Sequence, residues 1–156
     1  MTWEPGHERV QELIDAEEID RVTPDLVIAR RMLEDAARHL ATASAAKRAG
    51  DLSGAYQLAY DALRKSAASL LEAQGLRVTS RGGHLAVQEA VTAQFGVAVR
   101  AFRSFGRIRR ARNSFEYPTS NTPGPVGDDV DDAVAVASQV HDAAATILDQ
   151  ELLTPW

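Results

Sequence analysis

Apolar residues recur every three or four positions along most of this chain, which is the period of a helix and not the alternation of a strand. Over Glu8 to Ile19, Val10, Leu13 and Ile14 share one side while acids hold the other, predicting a short first helix. Thr23, Pro24 and Asp25 supply a cap, a proline at the first helical position and an early acid for a second helix, which runs to Ala49 before Gly50 stops it. Its apolar stripe passes through Leu26, Ala29, Leu33, Ala36, Ala37 and Leu40. A third helix, capped by Asp51 or Ser53, carries Leu52, Tyr56, Ala59, Tyr60, Leu63, Ala67, Leu70 and Leu71 at helical spacing until Gly75 ends it. Its tyrosines read as core. Arg77 to Gly83 is a turn-rich connection, His84 to Phe95 a short helix, and Gly96 a break before an arginine-rich helix that Pro118 ends at Tyr117. Thr119 to Gly127 forms a surface loop. Asp128, Asp129, Asp131 and Asp132 then complement the start of a last helix, with Val130, Val134, Ala137, Val140, Ala144, Ile147 and Leu148 facing inward. No strand pattern competes. The expected fold is all-α, an up-and-down four-helix bundle with additional short helices, in which residues 23–153 form the bundle domain and residues 1–22 a helical extension.

A chain of 156 residues is long enough to bury a real core as one domain. It has no cysteine, so disulfides, thiol nucleophiles and thiolate metal sites are excluded, and a reducing cytoplasmic setting is expected. Met1 to Arg9 carries Glu4, His7 and Glu8 in place of a basic region and an apolar run. No later segment is apolar enough to span a bilayer, so no membrane partner is expected. The net charge of −5 argues against indiscriminate nucleic-acid binding, yet it hides a strong local asymmetry.

Between Arg100 and Arg112 there are six arginines and no acid. On an unbroken helix Arg100, Arg103, Arg107 and Arg110 share one face, either a solvated stripe paired with neighbouring acids or a surface of guanidinium forks for phosphate. Arg112 stands apart. Phe105, Ile108 and Phe115 lie at i, i+3 and i+10 of the apolar stripe, and the i+7 slot is Arg112. An unpartnered guanidinium there costs several kcal/mol or more, so either an acid such as Glu116 at i+4 answers it or the slot faces a functional cleft. Asn113 follows directly, and Tyr117 lies one turn beyond Asn113. His84, beside a glycine pair at a helix start, reads first as a capping or packing residue and second as a cleft group. His7, His39 and His141 lie on different helices without ligand spacing, and no phosphate-binding glycine loop is present, so neither a metal nor a cofactor is expected.

The Arg112-Asn113 pair followed by a polar ring residue near the end of a late helix resembles the HEPN superfamily. The resemblance extends to Gly54 through Lys65, to Arg81-Gly82-Gly83-His84 and to Arg109 through Pro118, and covers the chain from Pro24 to the last helix. It implies a helical bundle that dimerises. It also implies membership of a class in which many proteins are metal-independent ribonucleases of toxin-antitoxin and defence systems. Arg112 matches the signature arginine and Asn113 its polar neighbour, but the signature histidine falls on Tyr117. Histidine suits proton transfer because its pKa lies near neutrality, whereas only about one tyrosine in a thousand is ionised at pH 7.

Three functions follow from this reading. The first, and the preferred one, is a HEPN-like module that holds RNA or a nucleotide through Arg103, Arg107, Arg110, Arg112, Asn113 and Tyr117 without efficient catalysis. It would act as a homodimer in a toxin-antitoxin or defence pair, with a nucleotidyltransferase as partner protein. The second is a metal-independent ribonuclease in which Arg112 works with Tyr117 or His84. The third is a structural, antitoxin-like partner protein in which Arg112 is sealed at a helix interface.

Overall fold

The computed structural model describes residues 3–156, so the first two residues of the N-terminal extension lie outside it. Six α-helices and one small sheet follow in the order α1 (His7–Asp15), β1 (Ile19–Arg21), α2 (Leu26–Arg48), α3 (Leu52–Gln74), β2 (Leu76–Val78), α4 (Gly83–Phe95), α5 (Phe105–Glu116) and α6 (Gly127–Asp149). A 3-10 segment, Arg100–Ser104, leads into α5. The fold is predominantly helical, and among the described residues no helix is long and apolar enough to cross a membrane.

Local chemistry sets the boundaries. Asp25, not Thr23, caps α2, its side chain accepting from the Ile28 amide at 3.0 Å. Asp51 does the same for α3 through the Gly54 amide at 2.9 Å. Gly75 ends α3 in the left-handed conformation at φ 74°. Before α6, the Asp129 carboxylate accepts from the Val126 amide at 2.8 Å, satisfying a donor that the helix cannot.

The α2 and α3 helices form an antiparallel hairpin, with Asp25 bonded to Glu72 near one end and Lys65 near Asp35 further along. The ion pairs Lys47–Asp131 and Arg30–Asp149 likewise run α6 antiparallel to α2. The α3 helix is the axis of the molecule, packing on α2, α4, α5 and α6. Its Tyr56, Ala59, Tyr60, Leu63, Ala67, Leu70 and Leu71 are all buried, as the period predicts. Gln74 and Gln94 are also buried, and their amides satisfy one another at 2.6 and 3.0 Å.

Two expectations fail near the N-terminus. The first helix stops at Asp15 and not at Ile19, because Glu17 takes φ 60°, a conformation that no right-handed helix continues. The chain then makes a strand where none was expected: β1 pairs antiparallel with β2, Ile19 opposite Val78 and Arg21 opposite Leu76. Three-residue strands are too short to show alternation in sequence. Ile19 and Leu76 are fully covered here, and Val10 and Leu13 of α1 join the same core. Leu26 departs from the α2 stripe and lies half exposed.

Candidate functional site

Three elements meet beside the middle of α3. From α3 come Gln57, Tyr60, Asp61 and Arg64, successive residues of one face at i, i+3, i+4 and i+7. The first turn of α4 brings His84 and its second Gln88, and α5 contributes Arg109 and Arg112 at i, i+3. Tyr60 is 0 % exposed, and its ring is walled edge-on by Phe105 at 6.2 Å between centroids. The Arg112 guanidinium lies over the same ring, 5.6 Å from its centroid.

Arg112 therefore occupies an inward, half-buried position with no acid to answer it among the described residues. Its Nε donates to Gln57 Oε1 at 2.7 Å and its Nη1 to Asn113 Oδ1 at 3.2 Å. Both partners are neutral amides. Among the described residues Arg112 forms no ion pair, with Glu116 or with any other carboxylate. The remaining donors of its five are open to a ligand. Arg109 is held in the same manner, its Nε donating to Gln88 Oε1 at 2.8 Å. Among the described residues Arg64 reaches only Asp61, at 3.7 Å, and its buried Nε has no hydrogen-bond partner. Asp61 also accepts from Gln57 at 3.2 Å, and it is the carboxylate that acts on Tyr60 and His84 alongside the three arginines.

The cations leave a mark on the groups between them. Burial pushes the Tyr60 phenol up to about 12, with the cations of Arg64, Arg112 and Arg109 opposing it and losing. The His84 imidazole is held below its ordinary value, first by burial and then by Arg64 and Arg112. At neutral pH the phenol is thus protonated and the imidazole neutral. Tyr60 Oη lies 2.8 Å from His84 Nδ1. With the phenol as donor, Nδ1 accepts and the ring proton sits on Nε2, at the exposed edge of His84. The α4 helix starts without a side-chain cap, so the positive end of its dipole adds to the field at His84.

The expected site residues separate into two groups. Arg112 and Asn113 belong to the cluster. Tyr117 does not: it follows the last residue of α5, is 72 % exposed, and among the described residues its side chain makes no hydrogen bond. The expected arginine face is also not one face, because Arg100–Ser104 is a 3-10 turn and its residues fall out of register with α5. Arg103 donates to the Gly96 carbonyl at 2.7 Å, Arg107 binds Asp132 through both nitrogens at 2.6 and 3.3 Å, and Arg110 is exposed. Gln57, Tyr60, Arg64, Gln88 and Arg109 were missed as site residues. The available signal was Arg64, a charge one turn from Tyr60 on the helix whose apolar positions recur most regularly.

His84 converges with Arg112 through Tyr60, and was read first as a packing residue. Among the described residues no group of three or more acids or histidines could hold a metal ion. No protein-family model, curated protein or solved structure matches this chain, so its chemistry is read from the cluster itself.

Proposed function

We propose that this protein binds the phosphate of RNA or of a nucleotide at the cluster of Arg64, Arg109 and Arg112, with His84 Nε2 as a further donor. One observation carries the proposal: the guanidinium groups of Arg64, Arg109 and Arg112 all act on Tyr60 and His84, and Arg112 is turned inward with only neutral partners. Orientation by Gln57 and Gln88 fixes both α5 arginines before any ligand arrives, which lowers the entropic cost of binding. A phosphate supplies the charge that the fold omits, and guanidinium forks match its oxygens. The resemblance to HEPN proteins supports a homodimer acting in a toxin-antitoxin or defence pair, alongside a nucleotidyltransferase. A sealed structural role for Arg112 is less well supported, since it calls for an acid paired with Arg112, and among the described residues Arg112 has none.

Sulfate, whose charge is constant between pH 5 and 8, is the simplest probe. Free His84 is held down partly by Arg64 and Arg112. A bound anion cancels that repulsion, so binding favours the imidazolium and takes up protons. Sulfate affinity is therefore expected to rise as the pH falls from about 7.5 to 5.5 through the ordinary histidine range. His84→Gln is expected to flatten the profile. Calorimetry that finds no sulfate binding, or binding with no pH dependence, counts against the site.

A second reading, metal-independent ribonuclease activity, draws support from the His84–Tyr60 contact. It needs the other tautomer, in which His84 Nδ1–H donates to Tyr60 Oη and Nε2 takes the proton of an attacking ribose 2′-hydroxyl. Single-stranded RNA incubated with chelator is then cut by the wild type and not by His84→Gln. Intact RNA at high protein concentration leaves binding as the function.

A further inference from the structure

We infer that the ligand is a nucleotide whose base enters a groove on the far side of His84, an inference that rests on the phosphate site proposed above. A cavity of about 380 Å³ opens between α2, α3, β2 and α4. Its lining includes Met32, Ala68, Leu71, Val78 and Val87 together with Arg64 and His84, two members of the cationic cluster. The cluster and the groove therefore share Arg64 and His84, so cationic groups and apolar walls meet on one surface.

That polarity matches one chemistry. The size suits a flat ring with its sugar, at the small end of ligand pockets. Inorganic phosphate would fill the charged end and leave the apolar walls wet, whereas a nucleotide covers both. The Arg64 side chain lines the groove as well as belonging to the cluster, and so stands where the two meet. A guanidinium there can also lie against the face of a base. Glu72, at the inner wall, is buried and paired with Arg77 at 2.7 Å, so the groove presents no free carboxylate to repel the ligand.

The test compares inorganic phosphate, ribose 5-phosphate, AMP and UMP by calorimetry on the whole protein. AMP or UMP is expected to bind at least about tenfold more tightly than ribose 5-phosphate, as base contacts of this kind provide. Ala68→Phe, which fills the groove from a half-buried position outside the arginine cluster, removes that advantage while phosphate binding stays as in the wild type. Met32→Trp fills the same groove from α2 and does likewise, covering the case in which Ala68→Phe fails to fold. Equal affinities for all four ligands overturn the groove while the phosphate site stands, as does full nucleotide affinity in both folded variants. If none of the four binds, the phosphate site falls too.

Discussion

Replacing Arg112 with alanine is expected to leave the protein folded and to weaken single-stranded RNA binding by about 10- to 150-fold. The range is that of one hydrogen-bonded charge, about 1.5–3 kcal/mol. Stability is expected to survive because Arg112 has no carboxylate to abandon: its loss frees only the amides of Gln57 and Asn113, at the edge of solvent. It also relieves repulsion from Arg64 and Arg109, whose fields reach the same Tyr60 and His84. Arg112→Met, which keeps the apolar stem over the Tyr60 ring, is expected to melt at or above the wild-type temperature. Fluorescence anisotropy across a salt series adds a second readout. Each phosphate contact contributes a slope of about −0.7 for single strands, and the variant is expected to lose about one such contact. Unchanged affinity in a folded Arg112→Ala protein retires the phosphate site. Collapse of the fold instead makes Arg112 a structural residue.

Phe105→Ala is expected to do the opposite, removing about 3–5 kcal/mol of stability through lost burial and the cavity left behind. Phe105 opens α5, is fully buried and forms the edge-on wall of Tyr60. Nothing nearby is free to collapse into its place, since Tyr60 is tied to His84 and Ile108 is itself fully buried. For a domain of this size the loss corresponds to a fall in melting temperature of roughly 10–15 °C. Urea unfolding measures it directly, and a loss below about 1 kcal/mol would mean that the α5 seat is not packed as described. Together the two substitutions separate a residue that builds the site from one that uses it.

Much of the fold is legible in the sequence because helices announce themselves locally. The α3 stripe from Tyr56 to Leu71, the stop at Gly75 and the end of α5 before Pro118 all follow from periodicity and backbone restriction, which neighbouring residues alone enforce. The strands were hidden for the same reason. Three residues such as Ile19–Arg21 carry too little pattern, and β1 gains its hydrogen bonds only from β2, more than fifty positions away. The arginine stripe misled because a 3-10 turn at Arg100–Ser104 changes the rotation per residue, a departure that residue identity does not announce.

The site divides along the same line. Sequence alone marked Arg112 as out of place, because its neighbours Phe105, Ile108 and Phe115 set a register that it breaks. It could not say what surrounds that residue. The family resemblance pointed to Tyr117, five positions on, but Tyr117 lies beyond the end of α5 and is left exposed. Tertiary packing placed the start of α4, with His84, against Tyr60 of α3, and it gathered Arg64 and Arg109 from separate helices around that pair. Helical period is a property of adjacent residues and can be read in order. The meeting of three helices depends on how their faces pack, and only the folded chain decides it.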